Sequence, residues 1–182
     1  MHPDLFKIIK ESDYNAIFAL VEQHRKQMVR SSKAGQHIAA QISFNQGFDI
    51  INAAIDTHTP SWGLLMLRYQ MITDGKKNRA IDSRIHKIDR DQPLKDIQAA
   101  EQLSPNNRTI LTRLIDELLN KKLTEEAKQK IVQVMGIIKP NTEDYVRIGY
   151  AFNELGMPLE ARALFNAALD LTPHFQRAQT AL

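Results

Sequence analysis

The chain has 182 residues, of which 43% are hydrophobic and 25% are charged, a composition typical of soluble, folded proteins. Because it contains no cysteine, disulfide bonds and thiolate metal sites are excluded. The net charge is only +3, but Lys and Arg outnumber Asp and Glu by 13 to 9 in residues 1–90, against 11 to 12 in residues 91–182. Charged residues interrupt residues 1–20, so no signal peptide is indicated and we expect a cytoplasmic protein.

Hydrophobic residues at helical spacing predict that residues 3–30 form a short helix, a turn at Ser12-Asp13 and a long helix from about Tyr14. Residues 31–35 are expected to form a basic connector. The next stretch is expected to form two helices, 37–44 and 48–55, because Asn45-Gln46-Gly47 resembles a helix break. Residues 1–73 therefore predict a region of helical hairpins.

A further helix is expected to begin at Thr59-Pro60 and to end at Asp74-Gly75. Residues 62–72 are hydrophobic on nearly all sides, which indicates a helix that is buried in a core or lies in an interface. Two interpretations stay open: a central core helix, or a helix through which the protein forms a homo-oligomer. Arg68 interrupts the stretch, which is too short to span a bilayer, so no membrane insertion is expected.

Residues 141–175 predict two helices folded back on each other. The first should cover residues 143–155, and Gly156 follows it, where a left-handed turn residue is favoured. Pro158 suits the first turn of the second helix, and Thr172-Pro173 should end it. Large and small side chains alternate on the facing surfaces, which are formed by Tyr145, Ile148, Gly149, Phe152, Ala161, Phe165, Ala168 and Leu169.

This pattern, with Pro173 after it, resembles a tetratricopeptide repeat, a helical hairpin of 34 residues. Since one such hairpin cannot bury its own hydrophobic face, neighbouring hairpins are required. A shift of 34 residues gives matching hydrophobic residues in 108–141 and a degenerate unit in 74–107, whose first helix is expected at 76–88. The resemblance implies an all-α fold: a right-handed solenoid of hairpins at 74–107, 108–141 and 142–175 with a short C-terminal helix, together forming a domain at 74–182 after the helical region 1–73.

No pattern of catalytic residues is present in the sequence. No two of the six histidines have the spacing of a helical zinc site. The sequence also contains no HExxH motif, no P-loop and no GxSxG nucleophile turn. We therefore expect no catalytic residue, no metal and no cofactor. The prediction is a non-enzymatic adaptor or scaffold that binds a protein or peptide partner.

In the tetratricopeptide family, the first helix of each hairpin lines a concave groove where ligands dock. The resemblance places there Glu143, Val146, Tyr150, Asn153 and Glu154 of the last unit, Thr109, Thr112, Asp116 and Asn120 of the middle unit, and Asn78, Asp82, Ile85 and His86 of the first unit. Tyr150 is the strongest candidate, because a partly exposed aromatic ring is a rigid anchor for a partner. The alternative is that these residues are solvated helix faces.

The basic N-terminal half raises a second hypothesis. Phosphate contacts from Arg25, Lys26, Arg30, Lys33, Lys76, Lys77 and Arg79 would support binding to nucleic acid, or a regulatory role for this half. No nucleic-acid recognition motif accompanies them, and scattered Lys and Arg residues are common on solvated helices. A third hypothesis is that the chain is the repeat region of a larger enzyme.

Overall fold

The structure is a computed structural model that describes residues 13–59, 61–82, 87–137 and 141–181. All regular secondary structure within these ranges is helical, which confirms the predicted all-α fold class. The helices are α1 Tyr14–Lys33, α2 His37–Thr57, α3 Trp62–Lys77, α4 Gln92–Leu103, α5 Arg108–Asn120, α6 Thr124–Ile137, α7 Thr142–Glu154, α8 Pro158–Leu171 and α9 Gln176–Gln179. The predicted short helix before Ser12 lies outside the described residues, as do Ile85 and His86.

The chain divides into two compact units, Met1–Ser104 and Pro105–Leu182. The sequence placed its division at residues 73 and 74 instead, and the grouping of 74–182 into three repeats remains a prediction. The helix expected at 76–88 is wrong, since α3 ends at Lys77 and residues 78–82 and 87–91 are not helical. Arg79 has a φ of 53°, a left-handed conformation that cannot continue a right-handed helix.

Three of the hydrophobic residues that suggested that helix pack in the core, and none of the three lies in a helix. Ala80 is fully buried in the first unit, and Ile81 and Ile88 pack against the same core. A helical spacing of hydrophobic residues was therefore misleading, because the same residues can reach the core from an irregular backbone.

Helix α2 is one continuous helix, so the predicted break at Asn45-Gln46-Gly47 is wrong. Gly47 is buried, and a Cβ atom built on it would lie 2.8 Å from Cε of Met71 in α3 and 3.1 Å from Cβ of His24 in α1. The glycine thus allows three helices to approach closely instead of ending one. Its intrinsic cost in a helix, about 1 kcal/mol, is small beside the packing of the surrounding core.

Helix α3 begins after Ser61, whose hydroxyl oxygen accepts a hydrogen bond from the Leu64 N–H at 3.2 Å. It continues two residues beyond Gly75, so the predicted end at Asp74-Gly75 is wrong. A Cβ atom on Gly75 would lie 2.5 Å from Cε2 of Phe44, a fully buried ring of α2. Gly75 is therefore a packing residue.

The core interpretation of the hydrophobic α3 is confirmed for the four residues Leu64, Leu67, Met71 and Ile72, which lie in the core of the first unit. These four side chains are buried inside the unit and so cannot contact a second copy of the chain, whereas Trp62 is 45% exposed. The homo-oligomer through residues 62–72 stays a prediction.

A buried ion pair connects α3 to α4 within the first unit. The Arg68 guanidinium donates to both carboxylate oxygens of Asp96, at 2.9 and 2.6 Å, and to the side-chain oxygen of Asn52 at 3.1 Å. Asp96 is 1% exposed, and the Gln92 side-chain amide also donates to it at 2.8 Å. Arg68, the charge that interrupts the hydrophobic stretch in the sequence, thus satisfies a buried carboxylate.

In the second unit the predicted hairpin of α7 and α8 is confirmed. Asn141 and Asp144 form a reciprocal capping box at the start of α7, and Gly156 turns the chain with a φ of 71°. A Cβ atom on Gly149 would lie 2.5 Å from Cε1 of Phe165, so this contact also depends on glycine. The Phe165 ring is 1% exposed, as expected for a side chain held between two helices.

Candidate functional site

The exposed side of α7 carries the aromatic residue that the sequence singled out. Tyr150 is 38% exposed, and its ring meets the buried Phe165 ring edge-on with centroids 5.3 Å apart. Its hydroxyl donates to the Arg177 carbonyl at 3.3 Å, and the Arg177 guanidinium carbon lies 6.0 Å from the centre of the Tyr150 ring. The ring is therefore held by a packed residue on one side and is partly open on the other.

Charged residues surround Tyr150 in pairs. Arg177 forms an ion pair with Glu143, and Arg147 of α7 forms one with Asp116 of α5 at 2.6 Å. Arg113 lies 3.7 Å from the same Asp116 carboxylate. We call this surface the Tyr150 face; it consists of Arg113, Asp116, Glu143, Arg147, Tyr150 and Arg177. The face holds three arginines and two carboxylates, so its formal net charge is +1 and most of its charge is paired.

The structure corrects two residues predicted to line the groove. Val146 is completely buried and packs with Phe165 in the core of the second unit, so it cannot contact a partner. Thr112 is only 7% exposed, and its hydroxyl donates to the Thr109 carbonyl at 3.1 Å. Both residues lie one turn away from exposed residues on the same helix. The sequence spacing alone did not separate the buried side of the helix from its exposed side.

The other predicted groove residues differ in their surroundings. The side chains of Thr109, Asn120, Asn153 and Glu154 are exposed in the second unit. Asn78 and Asp82 belong to the first unit and are half-buried. The Asn78 side-chain amide donates to the Asp74 carbonyl at 2.8 Å at the end of α3, which is a capping contact.

The predicted basic residues also divide into two groups. Arg25 is half-buried, donates to Glu22 at 2.7 Å and forms an ion pair with Asp74, so its guanidinium already has two carboxylate partners, and its role as an anion contact stays a prediction. The hydrogen bond to Glu22, and after it the one to Asp74, raises the pKa of the Arg25 guanidinium above its ordinary value. The other six predicted cations are exposed and have no carboxylate partner among the described residues: Lys26, Arg30, Lys33, Lys76, Lys77 and Arg79.

The sequence missed a recess between the first turns of α1 and α3. Tyr14, Phe18 and Trp62 are 41%, 46% and 45% exposed, and they line a cavity of about 390 Å³ together with Asn15, Thr59, Ser61, Gly63 and Leu64. The Tyr14 hydroxyl donates to the Thr59 carbonyl at 2.6 Å and so fixes one wall. We call this cavity the aromatic recess. The sequence places Phe18 in a hydrophobic stripe of α1 and Trp62 in the hydrophobic stretch 62–72, and neither placement indicates a shared cavity.

A signal for the recess was present in the sequence. Tyr14 and Phe18 are four residues apart on one side of α1, whereas Ile17 and Val21 form a separate row that the structure buries. An aromatic row next to an aliphatic row indicates two different environments on one helix.

Among the described residues, no three side chains of the metal-binding types lie close enough together to hold a metal ion.

Across the described part of the chain, every helix is too short or too polar to cross a membrane.

No protein-family model matches this sequence, and no curated protein matches it. Solved structures do. The structure of YrrB, described as a TPR protein with an unusual peptide-binding site, has a TM-score of 0.58 and 17% identity and covers 83% of this chain and 75% of its own. TTC0263, a thermophilic TPR protein of Thermus thermophilus, has a TM-score of 0.55 and 16% identity over 88% of this chain and 95% of its own.

This chain has the fold of a tetratricopeptide-repeat protein. A third similar structure, MamA from AMB-1, has a TM-score of 0.54 and 13% identity, and covers 89% of this chain and 97% of its own. The similarity extends over residues that the sequence pattern did not assign to repeats, because at least 83% of the chain is covered in each case. The hairpin fold thus persists where the tetratricopeptide residue pattern does not.

Proposed function

We propose that this tetratricopeptide-fold protein is a non-enzymatic adaptor or scaffold that binds a peptide or protein partner through the Tyr150 face. The observation that carries the proposal is Tyr150 itself: a ring that is 38% exposed and held in place by the buried Phe165 ring and the Arg177 carbonyl. A ring already fixed in the free protein loses little conformational freedom on binding, which is why such residues dominate interface energies.

The charges around the ring support recognition of a polar partner backbone. Asp116 and Glu143 accept from Arg147 and Arg177, and these ion pairs remain at least a quarter exposed on each side chain. Exposed pairs of this kind contribute little to folding, roughly 0–1 kcal/mol each, so they are free to serve recognition. The peptide-binding site named for YrrB is a property of that protein, and we propose a comparable activity for this one.

Affinity capture from the native cell tests the proposal with three variants of the full chain. Tyr150→Ala and Asn153→Ala should each reduce capture of the partner, since Asn153 is exposed on α7 about one turn beyond Tyr150, at the edge of the Tyr150 face. The Tyr150→Ala loss should be tenfold or more, since an anchor is worth about 2 kcal/mol or more. Leu159→Ala is the matched control, because Leu159 is 79% exposed on α8 and lies outside the Tyr150 face. If both groove variants capture every partner as well as the unaltered protein does, the Tyr150 face is not the binding site.

We also propose that the protein acts in the cytoplasm, on the sequence evidence given above. Fractionation of the native cell, with the chain followed by immunoblot, tests that location. The homo-oligomer predicted through residues 62–72 is tested by sedimentation of the purified chain, in which a monomer at all concentrations would exclude it.

A further inference from the structure

Helix α1 presents a row of side chains, all exposed except the half-buried Glu22, that changes from aromatic to charged along the helix. Tyr14, Phe18, Glu22, Lys26 and Arg30 follow one another at four-residue intervals over about 24 Å, and the row winds around the helix because each interval turns it by roughly 40°. Phe18 lines the aromatic recess and also a neighbouring depression of about 600 Å³ formed by α1. The Phe18 side chain therefore forms part of the wall of both cavities. We call the combined surface the α1 groove.

The first end of the α1 groove is hydrophobic and concave. Its volume of about 390 Å³ is within the range of ligand pockets, roughly 300–1,000 Å³. Three aromatic rings share the walls, and each leaves more than two-fifths of its surface exposed. Tyr14 is fixed by its hydrogen bond to Thr59 and lies against the His58 ring at 5.4 Å between centroids. Exposed aromatic surface gathered around a fixed cavity is suited to receive one large side chain.

The second end of the α1 groove is positively charged. Glu22 is the one carboxylate among the described residues that line this depression, and it already accepts two hydrogen bonds from Arg25, at 2.7 and 3.0 Å. Lys26 and Arg30 are exposed and have no carboxylate partner among the described residues. A ligand that complements this end of the groove must therefore carry negative charge.

We propose that the α1 groove binds a peptide segment of another protein in which an aromatic or large aliphatic anchor is separated by a few residues from Asp or Glu. The anchor occupies the aromatic recess, and the carboxylates pair with Lys26 and Arg30. From Phe18 to these cations the helix rises about 12 to 18 Å. An extended peptide covers that distance in about four to six residues. This site lies in the first unit and does not depend on the Tyr150 face of the second.

A membrane surface fits the α1 groove less well than a peptide does. Rings that insert into a bilayer must project from the protein, whereas Tyr14, Phe18 and Trp62 line a recess. A peptide side chain can enter such a recess, and a lipid headgroup layer cannot follow its shape.

Selection of a phage-displayed library of random 12-residue peptides on the full chain tests the proposal. The expected result is a consensus with an aromatic or large aliphatic residue four to six positions from Asp or Glu. A synthetic peptide of that sequence should change the emission of Trp62, which lines the recess and is the single tryptophan of the chain. Replacing its acidic residues by Lys should abolish the change.

Two variants and two controls locate the binding. Phe18→Ala and Arg30→Glu should each weaken the synthetic peptide at least tenfold. Neither should alter the unfolding midpoint much, since both side chains are exposed. Ile38→Ala and Lys77→Glu are matched controls for an exposed hydrophobic residue and an exposed cation outside the α1 groove, and both should bind the peptide normally.

Each of the following results overturns the proposal. The selection enriches no sequence, or enriches sequences without acidic residues, or Phe18→Ala and Arg30→Glu bind the peptide as the unaltered chain does. Retention on vesicles of phosphatidylserine and phosphatidylcholine, or on single-stranded RNA, without peptide binding assigns the groove to a membrane or to nucleic acid. A Trp62 emission change in the full-length Leu5→Asp/Ile9→Asp variant, without added peptide, assigns the recess to the chain's own first residues.

Discussion

The two compact units contain the same contact in different sequence surroundings. In the second unit the Phe165 ring lies on Gly149 of the facing helix, and in the first the Phe44 ring lies on Gly75. In both, a Cβ atom on the glycine would come within 2.5 Å of a ring carbon. The contact was predicted for Gly149, but Gly75 was interpreted as the end of a helix.

The difference lies in the flanking residues. Gly149 stands inside a helical pattern with aromatic residues on either side, whereas Gly75 follows Asp74 and precedes Lys76-Lys77, a run typical of a helix end. The residues around a glycine cannot show whether it ends a helix or lies under an aromatic ring when that ring belongs to a distant part of the chain. Phe44 is 31 residues before Gly75, so no residue near Gly75 in the sequence indicates their contact.

The largest expected effects come from removing the two rings. Phe165→Ala and Phe44→Ala should each lower the free energy of unfolding by about 3–5 kcal/mol, because both rings are almost fully buried and would leave cavities. Guanidinium unfolding followed by circular dichroism measures both. A change below about 1 kcal/mol for either variant would show that its ring is exposed in solution, and would remove that unit from the comparison.

Adding a methyl group to the glycines sharpens the same comparison. Gly149→Ala and Gly75→Ala should each destabilise the protein by about 1–3 kcal/mol, since the new Cβ atom overlaps a buried ring that cannot move away without disturbing its neighbours. Gly136→Ala in α6 is the matched control, because no atom outside its own helix lies within 4 Å of its Cβ position. It should stabilise the protein by up to about 1 kcal/mol through helix propensity. Stabilisation by Gly75→Ala would show that Phe44 does not lie on Gly75.

The smallest expected effect is a dependence of the free energy of unfolding on pH, and it arises from His24 in the first unit. Burial lowers the pKa of His24, next to Gly47, below its ordinary value of about 6.5. The unfolded chain therefore binds a proton more readily than the folded chain, and the free energy of unfolding should fall as the pH drops below about 6.5. His24→Gln should reduce this fall between about pH 7 and pH 5, measured by urea unfolding at each pH.

The exposed His174 of the second unit provides the control for that measurement. His174→Gln should leave the pH dependence unchanged. Equal pH profiles for His24→Gln and the unaltered chain would contradict the burial of His24 as the source of acid sensitivity.

The exposure of a candidate site residue could be predicted from the sequence only where the residue's own helix determines it. The resemblance placed Tyr150 on the groove side of α7 as a partly exposed ring, and its side chain is 38% exposed. Val146, one turn earlier, was assigned to the same surface, yet the Phe165 core covers it. Arg25 was grouped with the candidate anion contacts, although Asp74, 49 residues further on, pairs with it. The aromatic recess was missed because its walls come from two helices that the sequence considered separately.

The sequence by itself determined the all-α class and the hairpin of α7 and α8, since the Asn141 cap, the left-handed Gly156 and Pro158 act within one or two helical turns. Only the tertiary structure decided that α2 continues through Gly47 and that Ala80 reaches the core without a helix. It also decided which helix faces remain open to a partner. The physical reason is range: caps and turns depend on neighbours in the chain, whereas burial and close packing depend on residues that only the folded chain brings together.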